Sequence, residues 1–187
     1  MFIYYEEGNP EVVVAPDVFV VLGTSKRDRA SYMLWREPKG PDFVLEITSR
    51  RTRSQDQGPK RGTYAFLGVQ EYFQYDPTRD YLVPPLQGRR LLGEQYVLLP
   101  TVTLADGTLL LHSSVRGLDL RLEGQALHFY DPATGQPLLT HREAEQARRE
   151  AEQARQEAEA RASTAVAALR AAEARIAELE ARLRARE

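Results

Sequence analysis

There is no cysteine in these 187 residues, which excludes disulfides and thiolate metal sites and makes a reducing compartment the simplest expectation. Histidine is almost as scarce. The three present (His112, His128 and His141) include no pair with zinc-ligand spacing. No apolar run approaches the roughly 18 residues of a membrane span. The start, MFIYYEEGNP, has none of the basic residues, apolar stretch or small-residue cleavage site of a secretion signal. A cytoplasmic chain with no membrane partner is expected. What is present has a globular character, with 42% apolar and 28% charged residues. The length suits one ordinary domain with an appendage.

Net charge is also small, at −2, but it is unevenly spread. Residues 1–22 hold four acids and no bases, whereas residues 23–61 hold ten Lys/Arg against five Asp/Glu. The tail from residue 141 balances ten Arg against ten Glu. A locally basic stretch suits a polyanion. An ordinary solvated loop surface explains it equally well.

The order of segments predicts an α/β fold. FIYYEE and VVVAPDVFVVL flank a Gly-Asn-Pro turn and read as an opening hairpin. PDFVLEITS is a strand, KRGTYAFLGV has helical length and an apolar face, and EYFQYDPT is a strand ended by Asp-Pro. Strand, helix and strand in succession place a helix against a sheet. GRRLLGEQYVLLP and the stretch from Gly107 to Gly135 read as short strands and turns that close the domain. A boundary near residue 140 separates this domain, 1–140, from a tail, 141–187.

In the tail, EAEQARR, EAEQARQ and EAEARAS are near-copies of seven residues. Small or apolar residues recur in steps of three or four, with one stutter near Ala158–Ala162. This is a coiled-coil seam, alanine-lined at first and firmer at Val166, Leu169, Ile176, Leu179 and Leu183. Such a helix spans roughly 70 Å at about 1.5 Å per residue. Self-association, as a homodimer, is its natural use. A solvated single helix stabilised by Glu and Arg is the alternative.

The chemistry centres on PDFVLEITS. Side chains alternate along a strand, so Asp42, Val44, Glu46 and Thr48 share one face and Phe43, Leu45 and Ile47 the other. With both faces covered, Glu46 is expensive to bury unless it is paired or holds a cation. A Glu–Arg pair is the plain alternative. Asp17 enters the neighbouring apolar run through the same Pro-Asp dipeptide, and two acids on adjacent strands can converge on one hard cation. Asp42 is less suitable, being about 13 Å from Glu46 at about 3.3 Å per residue. Lys60 opens the helix one turn before Tyr64, from where it could reach the strand ends and steady a phosphate or an attacking water. A solvated lysine is the ordinary outcome at such a position.

Together these residues resemble the Uma-two family of the PD-(D/E)XK, or restriction-endonuclease-like, superfamily. The resemblance rests on PDVFVVLG at 16–23, PDFVLEITSR at 41–50, Asp56, Lys60, Tyr64, Gly68-Val69 and EYFQYDP at 71–77. It extends over about residues 1–140. It implies a restriction-endonuclease-like mixed sheet flanked by helices, and a metal-dependent endonuclease that hydrolyses phosphodiester bonds of DNA with Mg²⁺ or Mn²⁺. Carried over, Asp17 and Glu46 are the metal ligands, helped by a backbone carbonyl, Lys60 completes the catalytic set, and Asp56 is a helper. The superfamily lysine stands two residues after the glutamate, where this sequence has Thr48, so Lys60 takes its place. The family also carries a helical segment before the first strand. Here Met1 leads directly into that strand, and this N-terminal part is expected to be missing. The competing expectation is an inactive binding or scaffold protein of the same fold that self-associates through its tail.

Overall fold

Pro16 divides the first long apolar run into two strands that serve different sheets. In the computed structural model, which describes residues 1–50, 54 and 58–184, Ile3–Tyr4 (β1) pairs antiparallel with Val13–Val14 (β2). This forms the expected hairpin. Proline has no N–H to continue a ladder, and beyond it Val18–Val20 (β3) joins a second sheet. VVVAPDVFVVL is therefore two short strands rather than one. Tyr32–Met33 (β4) lies parallel to β1 and completes a three-stranded sheet.

Phe43–Ile47 (β5), the helix Pro59–Phe66 (α1) and Glu71–Tyr75 (β6) follow. The two strands are parallel, which requires a crossover between them, and α1 lies within it. Pro59 stands in the first turn of α1, where a missing N–H costs nothing. At the other end Gly68 has a φ of +71°, its N–H donates to the Ala65 carbonyl, and the Val69 N–H donates to Tyr64. That pair of bonds closes the helix as a Schellman motif and turns the chain into β6. Leu86–Leu92 (β7) and Gln95–Leu98 (β8) extend the sheet by antiparallel pairing, giving the order β3-β5-β6-β7-β8.

Alternation along β5 and β6 sorts their side chains into two cores. Val44 and Tyr72 pack with Ile3, Val14, Tyr32, Tyr64 and Val69 on the α1 side. Phe43, Leu45 and Phe73 pack with Leu86, Leu111, Leu120 and Leu122 on the other. The second face is covered by an antiparallel sheet of Val102–Thr103 (β9), Leu109–Ser113 (β10), Leu118–Glu123 (β11) and Ala126–Tyr130 (β12). Both faces of β5 are thus buried, the condition that makes Glu46 unusual.

The chain divides into two units, Met1–Leu138 and Leu139–Glu187. The second is dominated by one helix, His141–Arg184 (α2), of 44 residues. Thr140 and Glu143 form its capping box. The Glu143 carboxylate accepts from the Thr140 N–H at 2.8 Å, and the Thr140 hydroxyl accepts from the Glu143 N–H at 3.3 Å. Pairs such as Arg161–Glu157 and Arg182–Glu178 line its surface at i,i+4 spacing. Val166, Leu169 and Ile176 are exposed on it. The architecture is the mixed α/β class with a long C-terminal helix that the sequence predicts. No helix among the described residues is long and apolar enough to cross a membrane.

Candidate active site

Glu46 is 0% exposed near the carboxyl end of β5, on the face that also carries Val44. A carboxylate in that position must be held by donors, and α1 supplies two of them. Lys60 Nζ donates to Glu46 Oε1 at 3.0 Å, and the Tyr64 hydroxyl donates to the same oxygen at 2.5 Å. Lys60 and Tyr64 are four residues apart on one helix face, so a single helix orientation delivers both. Among the described residues, the buried acid is thus paired with a lysine of the crossover helix.

Asp17 lies at the entry to β3. Val18 faces Leu45 in the β3–β5 register, which puts Asp17 across from Glu46. The Asp17 backbone N–H donates to Glu46 Oε2 at 3.4 Å, and Asp17 Oδ2 accepts from the Ile47 N–H at 2.7 Å. Asp17, Glu46 and Lys60 thus meet at one end of the sheet, Asp17 exposed and Glu46 enclosed. Asp42 sits at the opposite end of β5. Its carboxylate is taken by the Leu22 N–H at 2.7 Å, Lys39 Nζ at 2.5 Å and Gln70 Nε2 at 3.2 Å. Asp56 lies outside the described residues. Among the described residues no group of three or more His, Cys, Asp or Glu side chains converges on one point.

Two neighbours escape the sequence reading. The inward side of α1 is legible, but nothing signals that the Tyr64 hydroxyl ends on Glu46. Gln74 is the other. It faces Glu46 directly in the parallel β5–β6 register and is 0% exposed. The parity rule that singles out Glu46 would have found it, since Gln74 interrupts EYFQY on the face of Tyr72. Arg89 on β7 donates from Nη1 to Gln74 Oε1 at 2.6 Å and from Nη2 to Gln87 Oε1 at 3.1 Å. Burial and the nearby charge of Arg61 lower the Arg89 guanidinium from its usual value. Gln74 Nε2 and Thr48 Oγ1 are both buried with no partner among the described residues. Each such group costs about 1–3 kcal/mol if left dry.

Part of the basic excess in residues 23–61 is neutralised internally. Glu37 Oε1 accepts from Arg27 Nη2 and from Arg29 Nε, each at 2.8 Å. These hydrogen bonds, that of Arg29 foremost, bring the Glu37 carboxyl down to about 2. Lys39 is committed to Asp42 and Lys60 to Glu46. The positive charge left to attract a polyanion is correspondingly smaller than the count suggests.

A search of curated proteins returns no match to this chain. Residues 3–123, by contrast, match the family model Uma2, described as "Putative restriction endonuclease". The matched span contains Asp17, Glu46, Lys60, Tyr64 and Gln74 together with the whole five-stranded sheet. It covers well over half of the chain, and on that ground the protein belongs to the Uma2 family of restriction-endonuclease-like proteins.

Proposed function

We propose that this protein is a metal-dependent endonuclease that hydrolyses phosphodiester bonds of DNA. The observation that carries the reading is the meeting of Asp17 and Glu46 on adjacent strands, with Lys60 on the buried acid, within the family span. The donor set fits Mg²⁺, with Mn²⁺ as a substitute. Magnesium is bound through one or two carboxylates and keeps several waters, and this site offers one exposed and one buried carboxylate. Asp17 and Glu46 would hold the ion, which supplies charge stabilisation for the phosphoryl oxygens. Asp56, outside the described residues, stands as a further helper on the family resemblance alone.

The remaining roles belong to the chain itself. Lys60 and Tyr64 fix the Glu46 carboxylate in one orientation, and Lys60 adds a positive charge where a phosphoryl oxygen approaches. In the reaction a water oxygen bonds to phosphorus, the bond from phosphorus to the leaving sugar oxygen breaks, and that oxygen takes up a proton from solvent. The proton lost by the water passes to the Glu46 carboxylate and on to solvent. Pairing two such domains through α2 would offer two sites to the two strands of a duplex, so a homodimer is part of the proposal.

Purified full-length chain is expected to nick and linearise supercoiled DNA with Mg²⁺ or Mn²⁺ but not with chelator. Asp17→Asn is expected to lower the rate about a hundredfold or more while leaving the circular dichroism spectrum and melting curve in place. An RNA substrate in parallel reports the preferred nucleic acid. No cleavage of DNA or RNA by the wild type with either ion would overturn the nuclease reading in favour of a binding or scaffold protein.

A further inference from the structure

Gln74 is fully buried, yet its amide nitrogen has no acceptor among the described residues. Its orientation is set by chemistry. Arg89 has only donors to offer, so the atom it touches at 2.6 Å must be the amide oxygen. That oxygen is drawn toward β7, where Arg89 and Gln87 stand. The amide nitrogen is consequently turned toward β5 and Glu46, the register partner of Gln74. Thr48 stands two residues beyond Glu46 on the same face, and its hydroxyl is buried and without a partner as well. Two unsatisfied groups on adjacent strands thus flank one buried carboxylate. A ligand there must be small, because both side chains are sealed from solvent. It must accept a hydrogen bond from Gln74, and it gains by donating one to Glu46. Water meets all three requirements.

We infer that Gln74, held by Arg89, binds a buried water molecule beside Glu46 that accepts from the amide and donates to the carboxylate, and that this water helps to hold Glu46 in its working orientation. The role in orienting Glu46 rests on the nuclease reading above; the bound water does not. Gln74 and Arg89 are in this account positioning residues that act through Glu46.

The test joins a crystal structure with kinetics on the full chain. The wild type is expected to show a water about 3 Å from Gln74 Nε2 on its Glu46 side, and Gln74→Met is expected to lose it. With DNA as substrate, Gln74→Met is expected to lower kcat by about tenfold to a hundredfold with KM nearly unchanged. Arg89→Met, which frees the amide to turn, is expected to shift kcat in the same sense and serves if Gln74→Met does not fold. A dry Gln74 amide in the wild type would overturn the inference, and so would a folded Gln74→Met with wild-type kcat. If the wild type cleaves nothing, the proposed activity fails, and the presence or absence of the water still decides the binding claim.

Discussion

At the scale of single residues, the cost of burying Glu46 organises the site. A fully enclosed carboxylate persists only with donors close by, and Tyr64 and Lys60 supply them from one helix face. Tyr64→Phe removes a hydrogen bond to a charged acceptor while keeping the ring in its core. It is expected to cost about 1.5–3 kcal/mol, read as a lower denaturant midpoint at unchanged slope, and to reduce cleavage. An unchanged midpoint would mean that the Tyr64 bond does not hold the carboxylate. Much of this was legible in the sequence. Spacing along the strand, about 13 Å at about 3.3 Å per residue, separates Glu46 from Asp42, and the structure gives them opposite ends of β5 with separate partners. The presence of Lys60 at this site was also within reach, through the family resemblance. The Tyr64 hydroxyl contact was not, because it depends on how deeply α1 settles on the sheet, which local periodicity does not encode.

At the scale of elements, the segment after β6 shows how one acid shapes a loop. Asp76 is buried. It accepts from the N–H groups of Thr78, Arg79, Tyr81 and Leu82 and from the Thr78 hydroxyl. Burial opposes its charge, but those hydrogen bonds, led by that from Tyr81, outweigh it and hold the carboxyl below its ordinary value. A depressed native pKa means that this stabilisation is complete above the unfolded value, about pH 4, and is lost as pH falls through the native one. Asp76→Asn replaces an accepting oxygen by a donor and is expected to cost about 1–3 kcal/mol at neutral pH. The gap between the two proteins should shrink on acidification below about pH 4. A gap that stays constant down to acid unfolding would contradict the assignment. The sequence displays Asp-Pro here as a strand terminator, correctly. That the aspartate organises six residues of loop is invisible without the backbone around it. The split of VVVAPDVFVVL at Pro16 was legible in principle, since a proline within a central run argues against one strand.

At the scale of the whole molecule, the two units follow different rules. Met1–Leu138 is held by two cores on the two faces of one sheet. The helix of the second unit is legible almost residue by residue from its repeats, because helix periodicity and i,i+4 pairs are local. Its partner is not a local property. Val166, Leu169 and Ile176 are exposed in the single chain, and a coiled-coil seam of this kind is covered by another helix. The full chain is expected to sediment as a dimer, and Val166→Glu with Leu169→Glu to sediment as a monomer with the first unit still folded. A wild type that stays monomeric at every concentration would assign α2 to the solvated single-helix alternative.

The central claim is that Glu46, with Asp17 beside it, is the working end of a nuclease. Its most direct test is DNA cleavage by purified wild type and Glu46→Gln, compared side by side with Mg²⁺ and with Mn²⁺. The account predicts ion-dependent cleavage by the wild type and its loss in the variant, with both proteins folded. Equal cleavage by the two, or none by the wild type, would contradict it.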